Sequence, residues 1–316
     1  DDIAFTEPPN YLLKTYTSMP WRHFAERRDQ ELIDTLSGSL FNHFPIQNTT
    51  NISNVQIAEV TQSVPLITNS AFPAFTTTNN IAPFSRVNIA FDPAEEFSDP
   101  WSEFQANLGQ FEDDADSLEF IVQYQIGVSN EIEEPGYAPV KQNNLVRRRT
   151  KFENYFAYDD GTAESTVQLE SFNGISVQLA VEFRSNVDDS LRAVQIHFPR
   201  LTSNISEQLF NLRIWKNDLE SEPVYEAIFQ RPVYASDFLD TLQGFSTYPL
   251  TDPLTGEFQA LELKADSVYY IGFEQISTCQ EPNCIPFGYD LNSPKGYDFL
   301  YVKTGDNFQK LDTLLA

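Results

Sequence analysis

The residues best placed to do chemistry fall in one short run, Asp159-Asp160-Gly161-Thr162-Ala163-Glu164. Its three carboxylates surround a glycine able to reverse the backbone. A hard cation such as calcium takes about six to eight oxygens from carboxylates and carbonyls, and this turn offers part of such a shell. The run lacks the spacing of a helix–loop–helix calcium loop, so further ligands would come from loops distant in sequence. A second reading stands beside it: Asp159 and Asp160 accept backbone amides within a turn, while Glu164 pairs with an arginine. The expectation is a candidate structural calcium site at Asp159, Asp160 and Glu164, and no other cofactor.

Nucleophilic catalysis finds no comparable support. The histidines are His23, His43 and His197, and the chain has neither a Gly-x-Ser-x-Gly elbow nor a His-Glu-x-x-His pair. His197 lies in Val194-Gln195-Ile196-His197-Phe198, a strand-like run where a structural role is the simpler one. Among 46 acidic residues some pair always lies at glycosidase distance, and the sequence singles out none. Phosphate-cradling glycine loops are absent. The chain is therefore expected to be non-enzymatic. Trp215 ends a strand and is expected in the core. Trp101, in an acidic loop beside Pro100, is a better candidate for ligand contact, together with Tyr289 and Tyr297 in the loop 285–298.

Cys279 and Cys284 are the only cysteines, five positions apart around Pro282 and Asn283. They can close as a small disulfide clip; a half metal site and two unrelated thiols are the alternatives. With no second cysteine pair and no histidine nearby, structural zinc is a poor fit. A disulfide would place the chain outside the cytoplasm.

The 316 residues carry 46 acidic and 20 basic side chains, a net charge of −26. A nucleic-acid partner needs a lysine and arginine footprint, so that class is excluded, as is an anionic membrane surface. Arg147-Arg148-Arg149 is expected to pair with local carboxylates. No apolar run is long enough for a spanning helix, so direct membrane insertion is not expected. The ends, Asp1-Asp2-Ile3 and Leu314-Leu315-Ala316, are expected to be cut from a longer chain.

The elements that must position these residues are strands. Phe (26) and Tyr (14) are plentiful, while Met (1) and Gly (12) are scarce, which favours a β-rich protein. Asn54–Val60, Arg86–Phe91 and Leu118–Val128 alternate with period two, the last with Phe120, Val122, Tyr124 and Ile126 on one face. Ala25–Leu36 is the one helix candidate, with an approach to a strand as its alternative. Beyond a boundary near 150, strands are expected at 165–170, 175–183, 191–198, 210–215, 224–228, 245–250, 260–263, 267–273 and 299–303. The expected fold is all-β, with two β-sandwich domains: residues 1–150, immunoglobulin- or fibronectin-like with an N-terminal extension, and residues 151–316, jelly-roll-like.

The segment Asn154-Tyr155-Phe156-Ala157-Tyr158-Asp159-Asp160-Gly161-Thr162-Ala163-Glu164 resembles a signature of large secreted and surface proteins of the Bacteroidota, many of which carry type IX secretion sorting domains. The likeness continues through Val181-Glu182-Phe183, Leu191–Phe198, Phe210–Trp215 and Ser267–Phe273. After Glu164 the family has a Gly/Tyr-rich strand, where this chain has Ser165-Thr166-Val167-Gln168-Leu169. More loosely, Pro9–Lys14 and Ser18-Met19-Pro20 resemble the β-sandwich that precedes this module in such proteins. Asp-[Ser/Thr]-aliphatic tripeptides are similar to the O-glycosylation acceptor of exported Bacteroidota proteins, with Thr35, Ser117, Ser190, Thr241, Ser267 and Thr313 as the hydroxyls. Such tripeptides also lead turns into strands. The resemblance implies an extracellular or outer-membrane surface location, and a scaffold or adhesion segment whose partners are other surface proteins or glycans. A carbohydrate-binding module, or an accessory domain of a secreted enzyme, is the alternative.

Overall fold

The computed structural model describes residues 3–7, 9–45, 48–60, 68–69, 75–91, 108, 118–128, 144–168, 170, 177–199, 205–234, 244–276, 279, 284–303 and 305–311. The fold is all-β, its sheets antiparallel. The chain divides into two compact units, Asp1–Tyr155 and Phe156–Ala316.

In the first unit the strands are β1 (Ile3–Glu7), β2 (Leu36–Asn42), β3 (Asn48–Val60), β4 (Thr68–Asn69), β5 (Phe75–Ile81), β6 (Arg86–Phe91), β7 (Leu118–Val128) and β8 (Leu145–Phe152). One sheet runs β1-β2-β6; the other runs β4-β3-β7-β8, with β5 also pairing β3. As the alternation predicts, Phe120, Val122, Tyr124 and Ile126 of β7 are all buried. A Cβ on Gly38 of β2 would stand 3.0 Å from the Tyr124 ring, so the two sheets meet there. Beside them Trp21, Phe24 and Phe152 pack at centroid distances of 4.8 to 5.0 Å, and Phe120 meets Phe152 edge-on at 5.8 Å. The segment 25–36 divides between its two expectations: two short helices, Trp21–Glu26 and Arg28–Glu31, are followed by an extended approach to β2. The chain is extended by Leu32, which is buried and bridges Leu13. Burying Leu32, Ile33 and Leu36 in extended backbone outweighs the local helical tendency. The arginines of β8 have local partners: Arg147 donates to Gln123 (2.7 Å), Arg148 lies over the Tyr11 ring (4.5 Å), and Arg149 pairs with Glu119.

The second unit contains β9 (Ser165–Gln168), β10 (Gln178–Ser185), β11 (Asp189–Leu191), β12 (Ala193–His197), β13 (Phe210–Lys216), β14 (Tyr225–Gln230), β15 (Phe245–Pro249), β16 (Leu261–Leu263), β17 (Ser267–Gln275), β18 (Pro286–Tyr289), β19 (Leu300–Lys303) and β20 (Phe308–Lys310). Six strands form one sheet, in the order β14-β13-β17-β10-β19-β20. Three two-stranded ribbons, β11-β16, β12-β15 and β18-β9, contribute Leu191, Leu261, Leu263, Val194, Tyr248 and Phe287 to the core over the sheet's inner face. The centre is Phe210, fully buried, stacked on Phe273 at 4.7 Å and edge-on to Tyr248 at 5.4 Å. Phe273 in turn meets Phe287 edge-on at 4.4 Å, tying the sheet to the β18 ribbon. Each such ring contributes about 1.5–3 kcal/mol by burial.

Trp215 is buried, as expected, at 5% exposure, but on the other side of the sheet from the inner cluster. It follows Ile214, whose side chain faces inward, so it points to the opposite, outer face. There its ring lies over Gly272, and Phe308 meets it edge-on at 5.6 Å. A Cβ on Gly272 would stand 2.2 Å from the indole and 3.0 Å from the Leu179 carbonyl. Gly272→Ala is therefore expected to cost about 1–3 kcal/mol, read as a lower urea midpoint with unchanged slope; an unchanged midpoint would mean that the indole is not seated there.

Candidate functional site

The carboxylate run follows a tyrosine anchor. Tyr158 is buried, stacks on Phe299 at 4.8 Å, and donates its hydroxyl to the Glu182 carbonyl of β10 at 2.5 Å. The backbone then turns. Gly161 sits at φ +93°, a conformation that costs side-chain-bearing residues. Asp159 accepts the Gly161 amide (3.0 Å), and Asp160 accepts the Thr162 amide (3.0 Å). Glu164 enters β9, its amide donating to the Tyr289 carbonyl at 3.1 Å.

That last bond brings in a residue the sequence did not single out. β9 pairs with β18 in the register Ser165↔Tyr289, so Asp290, the next residue, lands beside the turn. Its Oδ2 accepts the Asp160 amide at 2.7 Å, and its Oδ1 accepts the amides of Asn292 (2.6 Å) and Ser293 (2.9 Å). Glu164 returns the link by accepting the Leu291 amide at 3.1 Å. Asp160, Glu164 and Asp290 each place a carboxylate oxygen within 4.8 Å of the others. Asp290 is buried, while Asp160 and Glu164 are exposed. The Thr162 hydroxyl lies within reach of both Asp160 (2.5 Å) and Glu164 (2.7 Å), and its single proton serves one at a time.

The expected trio is thus rearranged. Asp160 and Glu164 converge, Asp290 joins them, and Asp159 instead closes the turn on Gly161. Glu164 has Thr162 and Leu291 as partners where an arginine was the alternative. The convergent oxygens are hard ligands of the kind calcium takes, and the same groups also satisfy loop amides. The signal that could have found the fourth residue is Asp290-Leu291-Asn292-Ser293, an Asp able to cap two following amides. Without the β9–β18 register nothing connects it to residue 160.

Burial holds the Asp159 carboxyl up to about 6, opposed by the Gly161 amide bond and reinforced by the charges of Asp290 and Asp160. Asp290 is also raised, first by burial, while Glu164 is lowered, first by the Thr162 hydroxyl.

Of the other expected residues, Tyr289 adjoins the cluster through its backbone, and none of them supplies it a carboxylate. Tyr289 and Tyr297 meet each other edge-on at 5.1 Å, and the Tyr289 hydroxyl is buried with no hydrogen-bond partner among the described residues. Cys279 and Cys284 form a disulfide, and both are buried. Ser190 is exposed and Thr35 half-buried, whereas Ser267 is 7% exposed, so a group on Ser267 would have to be added before folding. Trp101, Ser117, Thr241 and Thr313 lie outside the described residues. His197 packs against Phe245 and over Gly288, and burial lowers its pKa. Among the described residues no helix is long and apolar enough to cross a membrane. No family model, no curated protein and no solved structure matches the chain.

Two measurements check the site. In thermal melts, calcium is expected to raise the midpoint relative to chelator, since a ligand of the folded state at a hundred times its Kd adds about 2.7 kcal/mol. Asp290→Asn is expected to remove that increment, and identical melts with calcium and chelator would assign the carboxylates to the turn alone. In chelator, Asp159 makes stability fall as pH rises from about 4 to about 6, because the unfolded chain releases this proton near 3.8 and the folded chain holds it to about 6. Asp159→Asn is expected to flatten that part of the stability–pH curve; an unaltered slope contradicts the raised carboxyl.

Proposed function

We propose that this chain is a non-catalytic, exported segment of a large cell-surface protein, whose rigid sandwiches space and present binding surfaces to other surface proteins or glycans. The observation that carries the reading is the Cys279–Cys284 disulfide. Disulfides persist in oxidising compartments and are rare in the cytosol. This one closes the chain between β17 and β18, and Gln168 of β9 donates to the Cys284 carbonyl at 2.9 Å. It therefore secures the ribbon that holds the carboxylate turn.

Three features support the same reading. The net charge of −26 suits a solvated exterior. The run from Asn154 to Glu164 resembles that of exported Bacteroidota proteins. Ser190, in Asp189-Ser190-Leu191, is an exposed hydroxyl at the start of a strand, open to a glycan in such a host. Loops on a rigid scaffold are where binding residues concentrate, and function resides in those sites and not in the fold.

The test is location. Intact cells of the native host, treated with a membrane-impermeant amine label, are expected to yield labelled chain with no free thiol after denaturation. Labelling only after lysis, together with two free thiols, would contradict export.

A further inference from the structure

The outer face of the six-stranded sheet is arranged unlike a solvated exterior. Antiparallel partners share a face, and the registers place Asn211, Glu274, Gln178, Lys303 and Phe308 in one row across five strands. The neighbouring row carries Arg213, Gly272, Ala180, Tyr301 and Lys310. Gly272 and Ala180 leave a depression that the Trp215 indole floors. A groove of about 300 Å³ remains above it, lined by Gln178, Arg213, Trp215, Glu226, Lys303 and Phe308, with the loop 219–223 as its wall.

The polar groups of this groove are fixed in place. Arg213 is held on both sides, Nε to Glu226 at 2.6 Å and Nη1 to Glu274 at 2.7 Å. Gln178 donates to the other Glu274 oxygen at 3.0 Å. The wall is set by its own bonds: Glu220 donates its amide to Asp218 (3.0 Å), Ser221 donates its hydroxyl to the Asp218 carbonyl (2.7 Å), and Glu220 accepts the Phe308 amide (2.9 Å). Groups already ordered lose little freedom when a ligand arrives.

Charge decides the ligand class. Glu226 and Glu274 offset the charge of Arg213 and take its Nε and Nη1 donors, and Glu220, Glu222 and Glu226 repel anions, which disfavours a phosphate, sulfate or carboxylate. Arg213 and Lys303 oppose a cation. Interspersed donors and acceptors suit a neutral ligand rich in hydroxyls. The half-buried ring of Phe308 lines the groove, with the Lys303 ammonium 5.4 Å from its centroid, and its remaining exposed surface suits sugar C–H groups. We propose that this groove binds a neutral oligosaccharide. Its lining does not include Tyr289 or Tyr297, which the sequence put forward as ligand contacts. The assignment does not depend on export: surface labelling and glycan binding can succeed or fail separately.

The test is isothermal titration of the full chain with cellohexaose, xylohexaose, mannohexaose and laminarihexaose, with a hyaluronan hexasaccharide as the anionic comparison. At least one neutral hexasaccharide is expected to bind saturably and to shift tryptophan emission, while hyaluronan does not bind. Phe308→Ala and Gln178→Ala are each expected to weaken that binding by about tenfold, the first by removing apolar ring contact and the second by leaving a ligand hydroxyl unsatisfied. Glu226→Gln keeps the shape of the groove, is expected to weaken binding as well, and serves where Phe308→Ala fails to fold. No binding by any neutral hexasaccharide at millimolar concentration, preference for hyaluronan, or binding unaffected by Gln178→Ala and Glu226→Gln would overturn the proposal.

Discussion

The pairing of β9 with β18 is the constraint on which the rest of the second unit's chemistry depends. Four residue pairs, Ser165↔Tyr289 to Gln168↔Pro286, join positions more than a hundred residues apart in sequence. A slip of one residue would turn Phe287 out of the core and carry Asp290 away from Asp160. Two things oppose the slip. Phe287 is wedged against Phe273 and Phe198, and the disulfide fixes the chain just before β18. The core therefore sets the register, and the register sets the distance between the carboxylates.

The same logic runs through the six-stranded sheet, which is used on both faces. Inward, Phe210, Leu212 and Ile214 fill the sandwich. Outward, Trp215 of the same strand is buried against Gly272 and Phe308, and the partly exposed Arg213 is held by two glutamates. A strand buried on one side only would read as a plain alternation. β13 shows Ile214 and Trp215 buried in succession, which marks the outer face as built and not merely wetted. Its Arg213 is tied by two carboxylates at a partly exposed position, where fixed geometry counts for more than net attraction.

The parts of the fold legible in the sequence are those governed by local alternation. β7 buries the four residues its period-two pattern puts on one face, and β13 and β17 begin at their expected first residues, Phe210 and Ser267. The helix expected at 25–36 stops at Glu31, because an amphipathic run does not reveal that Leu32 and Ile33 are captured by an extended neighbour. β18 and β20 are too short for a pattern to emerge. Trp215 is expected in the core because burial is legible from residue type and face is not, until Gly272 is known to sit opposite. The turn at 159–164 announces its own carboxylates, but Asp290 is invisible, since its place depends on a pairing set by tertiary packing. The groove is invisible for the same reason: its row is assembled from five strands.

Residues 159–164 and 290–293 form one unit, locked by the Asp290 side chain. Residue-resolved amide hydrogen exchange of the chain and its Asp290→Ala variant tests this directly. The amides of Asp160, Asn292 and Ser293 are expected to exchange faster together in the variant, while amides of β10, β13 and β17 keep their rates. An Asp160 amide that exchanges at the same rate in both proteins would contradict the lock.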